Sequence, residues 1–528
     1  MKAAQRRRHC QRVPLRGFER TATMADGVST KLVHSMLVRG DTTTLQRYLP
    51  SAVMCAFNTH PRMRVLQVQN ERFMAEVQPP ITQRAVLMDA LLRIRVISSA
   101  ASDANDMATG WQQYADDECS IGFDRYKQLP FFLTVWVDEQ AGSARLMLFS
   151  DHYMSDGYSG MVVLNCVLEQ VALLARQGFE ASQDEPEPEQ PPQQVHAFPL
   201  RPSLYKMWLT KVAWAKPIVK SAIKLSGRQI FRDTTRKFTP LLPARADQHE
   251  FRAPPATSST TALFAQGNAS CMQNVLAKCE EEGVTFSGAL VGVLLLAFYH
   301  VTKERQSNPR HECFKVAVDL GYNMRQRVPH PAEEEQVGMF TTVTDLEWLT
   351  GEGVDMKATG FWDFARRAKR EMEARLKHTL AMALPAMMMD TKINSQMDPS
   401  FLKDVQLPHS LTSDVNLANV GRYPFAREHH LFPEDDDGEQ SNEGDVITVE
   451  SLHVYHPLPH LAPSATLFVS SVGSFSYSMA HKCENVVGEA LFEATVALCE
   501  GIDSIGTDEK LIDVLDRVGL RYTGHFYT

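Results

Sequence analysis

An α/β fold built from two large units is what this sequence predicts, on three observations. Strand-like runs rich in Val, Phe and Thr alternate with helical runs whose apolar residues recur at spacings of three and four. The chain has 528 residues, more than one compact core holds at roughly 100 to 200 residues per domain. A proline-rich acidic tract without an apolar residue, SQDEPEPEQPPQQ at 182–194, divides it as a solvated linker. The expected units are therefore 24–181 and 203–528, joined by a linker at 182–202. Residues 1–23 form a basic N-terminal extension, disordered or targeting.

In order along the chain, Lys31 to Tyr48 reads as a helix interrupted at Gly40–Asp41, and Ala52 to Asn58 continues apolar up to HPRMR at 60–64. Val65–Val68 and Phe73–Val77 read as strands, and 88–98 is apolar again. FFLTVWV (131–137) and ARLMLF (144–149) make two strands joined by a DEQAG turn, in which Gly142 supplies conformational freedom. Val163, Val167, Val171 and Leu174 are spaced for a long packed helix. Residues 203–231 look helical around Pro217, with Lys216, Lys220, Lys224 and Arg228 along one face and Trp208, Trp214 and Ile218 on another. That segment has two readings, an amphipathic helix packed on the protein or peripheral contact with a membrane or lipid droplet.

The second half repeats this grammar. Asn268–Glu282 is helical, and GALVGVLLLAFY (288–299) is a buried helix too short to span a bilayer, which needs about 20 residues. FKVAVDL (314–320) and VGMFTTV (337–343) are strands, 361–376 is an amphipathic helix, and 414–420 and 465–478 are strand-like. Val486–Leu498 is the closing helix, and EDDDGEQSNEG (434–444) is a charged surface loop. The Met-rich run MALPAMMMD (382–390) suits either helix core or the lining of an acyl tunnel.

Composition excludes several classes. A formal charge of −9 and a pI near 6.1 argue against a nucleic-acid partner, which needs a basic face. Nine cysteines form no CxxC pair and no zinc-spaced cluster, so no metal is expected and the thiols are expected reduced, in an intracellular, cytoplasmic monomer. The first 23 residues carry an arginine excess against Glu19 alone. They read either as a mitochondrial-type targeting segment or as an extension upstream of a start at Met24.

The stretch FSDHYMSDGYSG (149–160) is where chemistry concentrates. An imidazole at the end of an apolar strand, on a short turn before a helix, is rigidly placed. A neutral histidine there can take a proton from a hydroxyl, amine or thiol. Asp156 need not touch that ring; it can pair with an arginine and hold the turn. Gly157 lets backbone pass close to a substrate or offers an N–H to a developing oxyanion. Two metal ligands, or an Asx turn with a surface histidine, are the competing readings. GxSxG, GxGxxG and GxxxxGK[ST] are absent.

Asp151-His152-Tyr153-Met154-Ser155-Asp156-Gly157 resembles the HHxxxDG core of the acyltransferase superfamily with the chloramphenicol acetyltransferase-like fold. Its members include condensation domains, alcohol O-acetyltransferases and polyketide-associated acyltransferases. His60-Pro61-Arg62-Met63-Arg64 is similar to that group's HPxLR, Gly283-Val284-Thr285 to its GvT helix entry, and Val318-Asp319-Leu320 to its vDLR strand end. Val337-Gly338-Met339-Phe340 and Asn419-Val420-Gly421 are similar to vGnf and sNlG. The resemblance implies two similar α/β subdomains forming a V-shaped pseudo-dimer, with His152 at their interface. His152 is the implied general base, Asp156 is structural and Gly157 lies near the oxyanion. The implied reaction moves an acyl group from a thioester, acyl-CoA as co-substrate with no bound cofactor, to a small hydroxyl or amine acceptor. A carrier-bound donor, as in condensation domains, and a non-catalytic scaffold are the alternatives.

Three departures stand out. Asp151 replaces the first histidine, and a carboxylate beside an imidazole raises its pKa in principle. Gly321 replaces the arginine after Asp-Leu, which leaves Arg325 as the candidate partner of Asp156. The plant-type DFGWG motif is absent.

Overall fold

The computed structural model describes residues 11–22, 29–71, 73–97, 109–178, 197–211, 217–218, 221, 238–245, 260–302, 313–328, 333–377, 411–432, 446–459 and 462–518. The tracts at 182–194, 382–390 and 434–444 and the lysine and arginine positions 216, 220, 224 and 228 lie outside these residues. Strands and helices intermix, as the sequence predicts, and the chain forms two compact units.

The units are not the contiguous segments expected. One comprises Met1–Lys211 together with Asn323–Phe340 and Arg422–His456; the other comprises Val212–Tyr322, Thr341–Gly421 and Pro457–Thr528. The physical reason is strand pairing. Val446–Tyr455 pairs antiparallel with Lys31–Gly40, Tyr455 opposite Val33, and so completes the first unit's sheet from a distant part of the chain.

That sheet has six strands in the order Glu428–His430, Val446–Tyr455, Lys31–Gly40, Ser143–Asp151, Phe131–Asp138, Leu92–Val96. Lys31–Gly40 is a strand, not the expected helix. Its first six residues are all buried, and a strand covered on both faces loses the period-two pattern that identifies strands. The helix of this region begins later, at Thr42–Thr59, where the Asp41 carboxylate accepts from the amides of Thr43 and Thr44 at 2.9 Å each. Gly40, at φ +134°, is obligatory: a Cβ there would lie 2.0 Å from the Val446 carbonyl oxygen.

The N-terminal segment also differs from expectation. Arg12–Pro14 pairs antiparallel with Met74–Val77, which pairs in turn with Val65–Gln67. A short helix follows at Phe18–Ala22, and Val13 and Leu15 are buried. Residues 11–22 are thus an integral part of the first unit, because they cover apolar surface and bring Glu19 to Arg62 at 2.8 Å. Only Leu204–Lys211 of the expected 203–231 helix is a described continuous helix, and it buries Leu204, Tyr205, Met207 and Trp208.

The second unit has its own six-stranded sheet, in the order Thr341–Asp345, Val318–Asn323, Val415–Arg422, Ala465–Ser471, Phe475–His481, Thr261–Gln266. Phe286–Thr302, apolar on all sides, is buried in its core against Phe361–Lys377 and Asn485–Glu500. Thr285 Oγ1 accepts from the Gly288 amide at 3.2 Å, so the GVT stretch is a helix start.

Each unit repeats one internal device. A hairpin, Phe131–Asp151 in the first and Ala465–His481 in the second, feeds a long helix, Gly157–Arg176 or Asn485–Glu500. An early glycine of each helix, Gly160 or Gly488, lies directly on a buried histidine ring, His34 or His481. Gly157–Arg176 is the one single helix among the described residues long and apolar enough to cross a membrane, and 72% of its apolar window is buried in the protein.

Candidate active site

The strand Ser143–Asp151 is buried along its whole length between Lys31–Gly40 and Phe131–Asp138. Its backbone pins the motif at the exit: the Asp151 amide donates to Pro130 O at 2.8 Å and the His152 amide to Thr30 O at 2.9 Å. Five residues later Asp156 starts the helix Gly157–Arg176, its Oδ1 accepting from the Ser159 amide at 2.8 Å. The turn from 152 to 156 is therefore held at both ends.

His152 is half-buried, and its Nδ1 lies 2.8 Å from Ser155 O. A carbonyl only accepts, so Nδ1 is the donor in this contact, and in a neutral ring the lone pair then sits on Nε2. That is the tautomer a general base needs. The ring of His456 packs on it at a centroid distance of 5.3 Å and an interplanar angle of 53°.

Asp156 and Arg325 form a two-pronged pair, Nη1 to Oδ2 at 2.9 Å and Nη2 to Oδ1 at 3.0 Å, both side chains 1% exposed. The Phe340 amide donates to Asp156 Oδ2 at 2.9 Å, and Ser159 Oγ lies 2.8 Å from Oδ1. Burial alone would raise the carboxyl; the Arg325 charge and these hydrogen bonds outweigh it and hold its pKa below the ordinary value. The guanidinium is further fixed by Gln336 O at 3.0 and 3.2 Å and by Ser159 Oγ at 2.8 Å, between the rings of Tyr158 and Phe340, each 4.8 Å away. The Asp156 carboxylate is thus turned into protein, toward Arg325, Phe340 and Ser159. Arg325 replaces the missing arginine from the turn Arg325–Arg327, just beyond the strand whose Gly321 stands at the family position.

Asp151 is engaged elsewhere. Its carboxylate, 0% exposed, accepts from Arg125 Nε at 2.9 Å and Ser29 Oγ at 2.8 Å, with the Tyr153 amide 3.4 Å from its other oxygen. The departure from histidine at this position is therefore a buried ion pair behind the strand end. Arg62 ties the turn from a further side, donating to Glu19 at 2.8 Å, Met154 Sδ at 3.4 Å and Arg201 O at 3.1 Å. His60 is buried, stacked on Phe198 at 5.3 Å, and burial lowers its pKa to about 4.

Gly157 is the first residue of the helix, and its carbonyl accepts from His34 Nε2 at 2.8 Å. His34 is fully buried; desolvation lowers its pKa to about 4 against the opposing effect of that hydrogen bond, so it is neutral and Nε2 is its donor. Sequence reasoning missed His34, Arg125 and His456. The one local signal was a histidine inside a largely apolar run, His34 between Val33 and Met36. Gly338 is a contact that the sequence did not point to: its amide donates to Ser159 Oγ at 3.0 Å.

Among the described residues no three or more His, Cys, Asp or Glu side chains converge to hold a metal. The arrangement offers one imidazole with a free lone pair on a rigid turn, which is equipment for proton abstraction.

Known proteins agree with this architecture. The trichothecene 15-O-acetyltransferase TRI3 from Fusarium sporotrichioides is similar in fold with a TM-score of 0.67 at 11% identity, over 93% of this chain and 95% of that one. The first condensation domain of the calcium-dependent antibiotic synthetase gives 0.61 at 12%, over 95% and 98%. Polyketide synthase associated protein 5 from Mycobacterium tuberculosis gives 0.55 at 13%, over 94% and 99%. At these identities the likeness is one of fold, the chloramphenicol acetyltransferase-like one. No curated protein sequence matches the chain. The alcohol acetyltransferase family model matches residues 126–435, more than half of the length and including the whole motif. This chain therefore belongs to the alcohol acetyltransferase family, and it is an acyltransferase.

Proposed function

We propose that the protein transfers an acyl group from acyl-CoA to an alcohol hydroxyl, with His152 as general base. The observation that carries this is the hydrogen bond from His152 Nδ1 to Ser155 O, which in the neutral ring places the lone pair on Nε2, at the end of a rigid strand. Nε2 takes the proton of the hydroxyl as its oxygen attacks the thioester carbonyl. The amide of Gly157, in the first turn of its helix, supports the oxyanion. Collapse breaks the C–S bond, and the imidazolium returns its proton to the leaving thiolate, giving ester and free CoA. No covalent acyl-enzyme is required.

Two features of the sequence encouraged a non-catalytic scaffold: Asp151 in place of histidine and the displaced arginine. Both lose force, since Asp151 is paired with Arg125 and Asp156 has Arg325. A second reading is a carrier-bound donor and an amine acceptor, favoured by the fold likeness to a condensation domain; the same base serves it. The test incubates the protein with acetyl-, hexanoyl- or palmitoyl-CoA, or with an acyl-loaded carrier protein, and with primary alcohols or amines, and identifies products by mass spectrometry. Esters formed from acyl-CoA support the proposal. Amides, or a strict need for the carrier, favour the second reading.

A further inference from the structure

The structure assigns His456 as a positioning residue for the base, acting by packing its ring against His152; this rests on the reading of His152 as the base. The hydrogen bond to Ser155 O fixes the tautomer of His152 but is a single tether, and a ring held by one bond can still swing about it. The His456 ring, 5.3 Å away and tilted by 53°, restricts that swing.

Topology explains how two residues so distant in sequence meet. His456 directly follows Val446–Tyr455, which lies on one side of Lys31–Gly40; Ser143–Asp151, which leads into His152, lies on the other. Tyr455 is opposite Val33 and Lys31 is opposite Asp151, so both histidines emerge at the same end of the sheet. His456 is held firmly there. Tyr455 is fully buried and its hydroxyl donates to Asp116 Oδ1 at 2.6 Å, while Pro457 narrows the backbone range of the residue before it.

Steady-state kinetics with acetyl-CoA and 1-hexanol test this for the full chain, His456→Ala, His456→Phe and His456→Gln, with His456→Ala also made in a His152→Ala background. Loss of the supporting ring is expected to lower kcat by about 10- to 100-fold with both KM values within about threefold of wild type, as for a misplaced catalytic group. His456→Phe, which keeps an aromatic ring, is expected to return kcat to within about threefold of wild type. His456→Gln has no ring and is expected to behave as the alanine variant, which it replaces if that one does not fold. In the His152→Ala background, His456→Ala should cause no additional loss, since its effect passes through His152. The proposal is overturned if His456→Phe is as slow as His456→Ala, if the change is confined to KM, or if the same fold-loss persists without His152. A His152→Ala rate equal to wild type would instead refute the base itself, a separate result.

Discussion

Arg325 holds the Asp156 carboxylate with both terminal guanidinium nitrogens, at 2.9 and 3.0 Å, although 169 residues separate the two in sequence. The pair anchors the 323–340 segment to the start of the motif helix inside one unit. Removing one member leaves the other buried and uncompensated. Arg325→Met should cost about 3 to 5 kcal/mol, and Arg325→Lys should recover only part of it, because an ammonium cannot reproduce the two-pronged geometry. Urea unfolding measures both; an unchanged midpoint for Arg325→Met would contradict the anchoring role.

The same carboxylate makes a pH prediction. Its folded pKa lies below the ordinary value of 3.8, so its contribution to stability is present above about 3.8 and is lost as pH falls through the lower folded value. The stability gap between wild type and Asp156→Asn should be full at pH 7 and close below pH 3.8. A gap independent of pH down to acid unfolding would show that the charge is not what matters.

His34 also loses stability on acidification, but because its neutral form is the one the fold holds. Its folded pKa is about 4, against 6.5 for a free imidazole, so between those values the unfolded chain binds more protons and stability rises with pH. Buried Asp319 and Asp414, raised by desolvation to about 7 and about 6, work the other way. The informative quantity is therefore the difference between wild type and His34→Gln, which should shrink by up to about 1.4 kcal/mol per pH unit as pH falls from 6.5 to 4. A difference that stays flat would mean that His34 is not held neutral by burial.

Gly160 makes a steric prediction. A Cβ there would stand 2.1 to 2.3 Å from three atoms of the His34 ring, and that ring has no exposed path along which to move. Gly160→Ala should destabilise by about 1 to 3 kcal/mol, and adding His34→Ala should recover part of the loss by vacating the space. Strict additivity of the two substitutions in denaturant unfolding would count against direct contact.

Much of the fold was legible where local pattern carries the signal. The hairpin over 131–151, the helix after Gly160 and the buried helix near 288–299 follow from periodicity and turn residues, and HxxxDG marks the turn that carries His152. Lys31–Gly40 does not show as a strand in the sequence, because a strand buried on both faces has no alternation. Val446–Tyr455 went unnoticed beside a charged tract, and nothing local announces pairing with a strand some 400 residues away. For the same reason Arg325 could be named only through a displaced family arginine, Arg125 and His456 carry no local signal, and His34 shows only as a histidine in a largely apolar run. Their partners are fixed by sheet register, a tertiary property.

The central claim is that His152 abstracts the proton of the acceptor. Free CoA release from acetyl-CoA, followed with and without a primary alcohol in wild type and in His152→Ala of matched thermal stability, tests it most directly. Release that requires the alcohol in wild type and falls by about 100-fold or more in the variant is the predicted result. The same alcohol-dependent release in both proteins would contradict it.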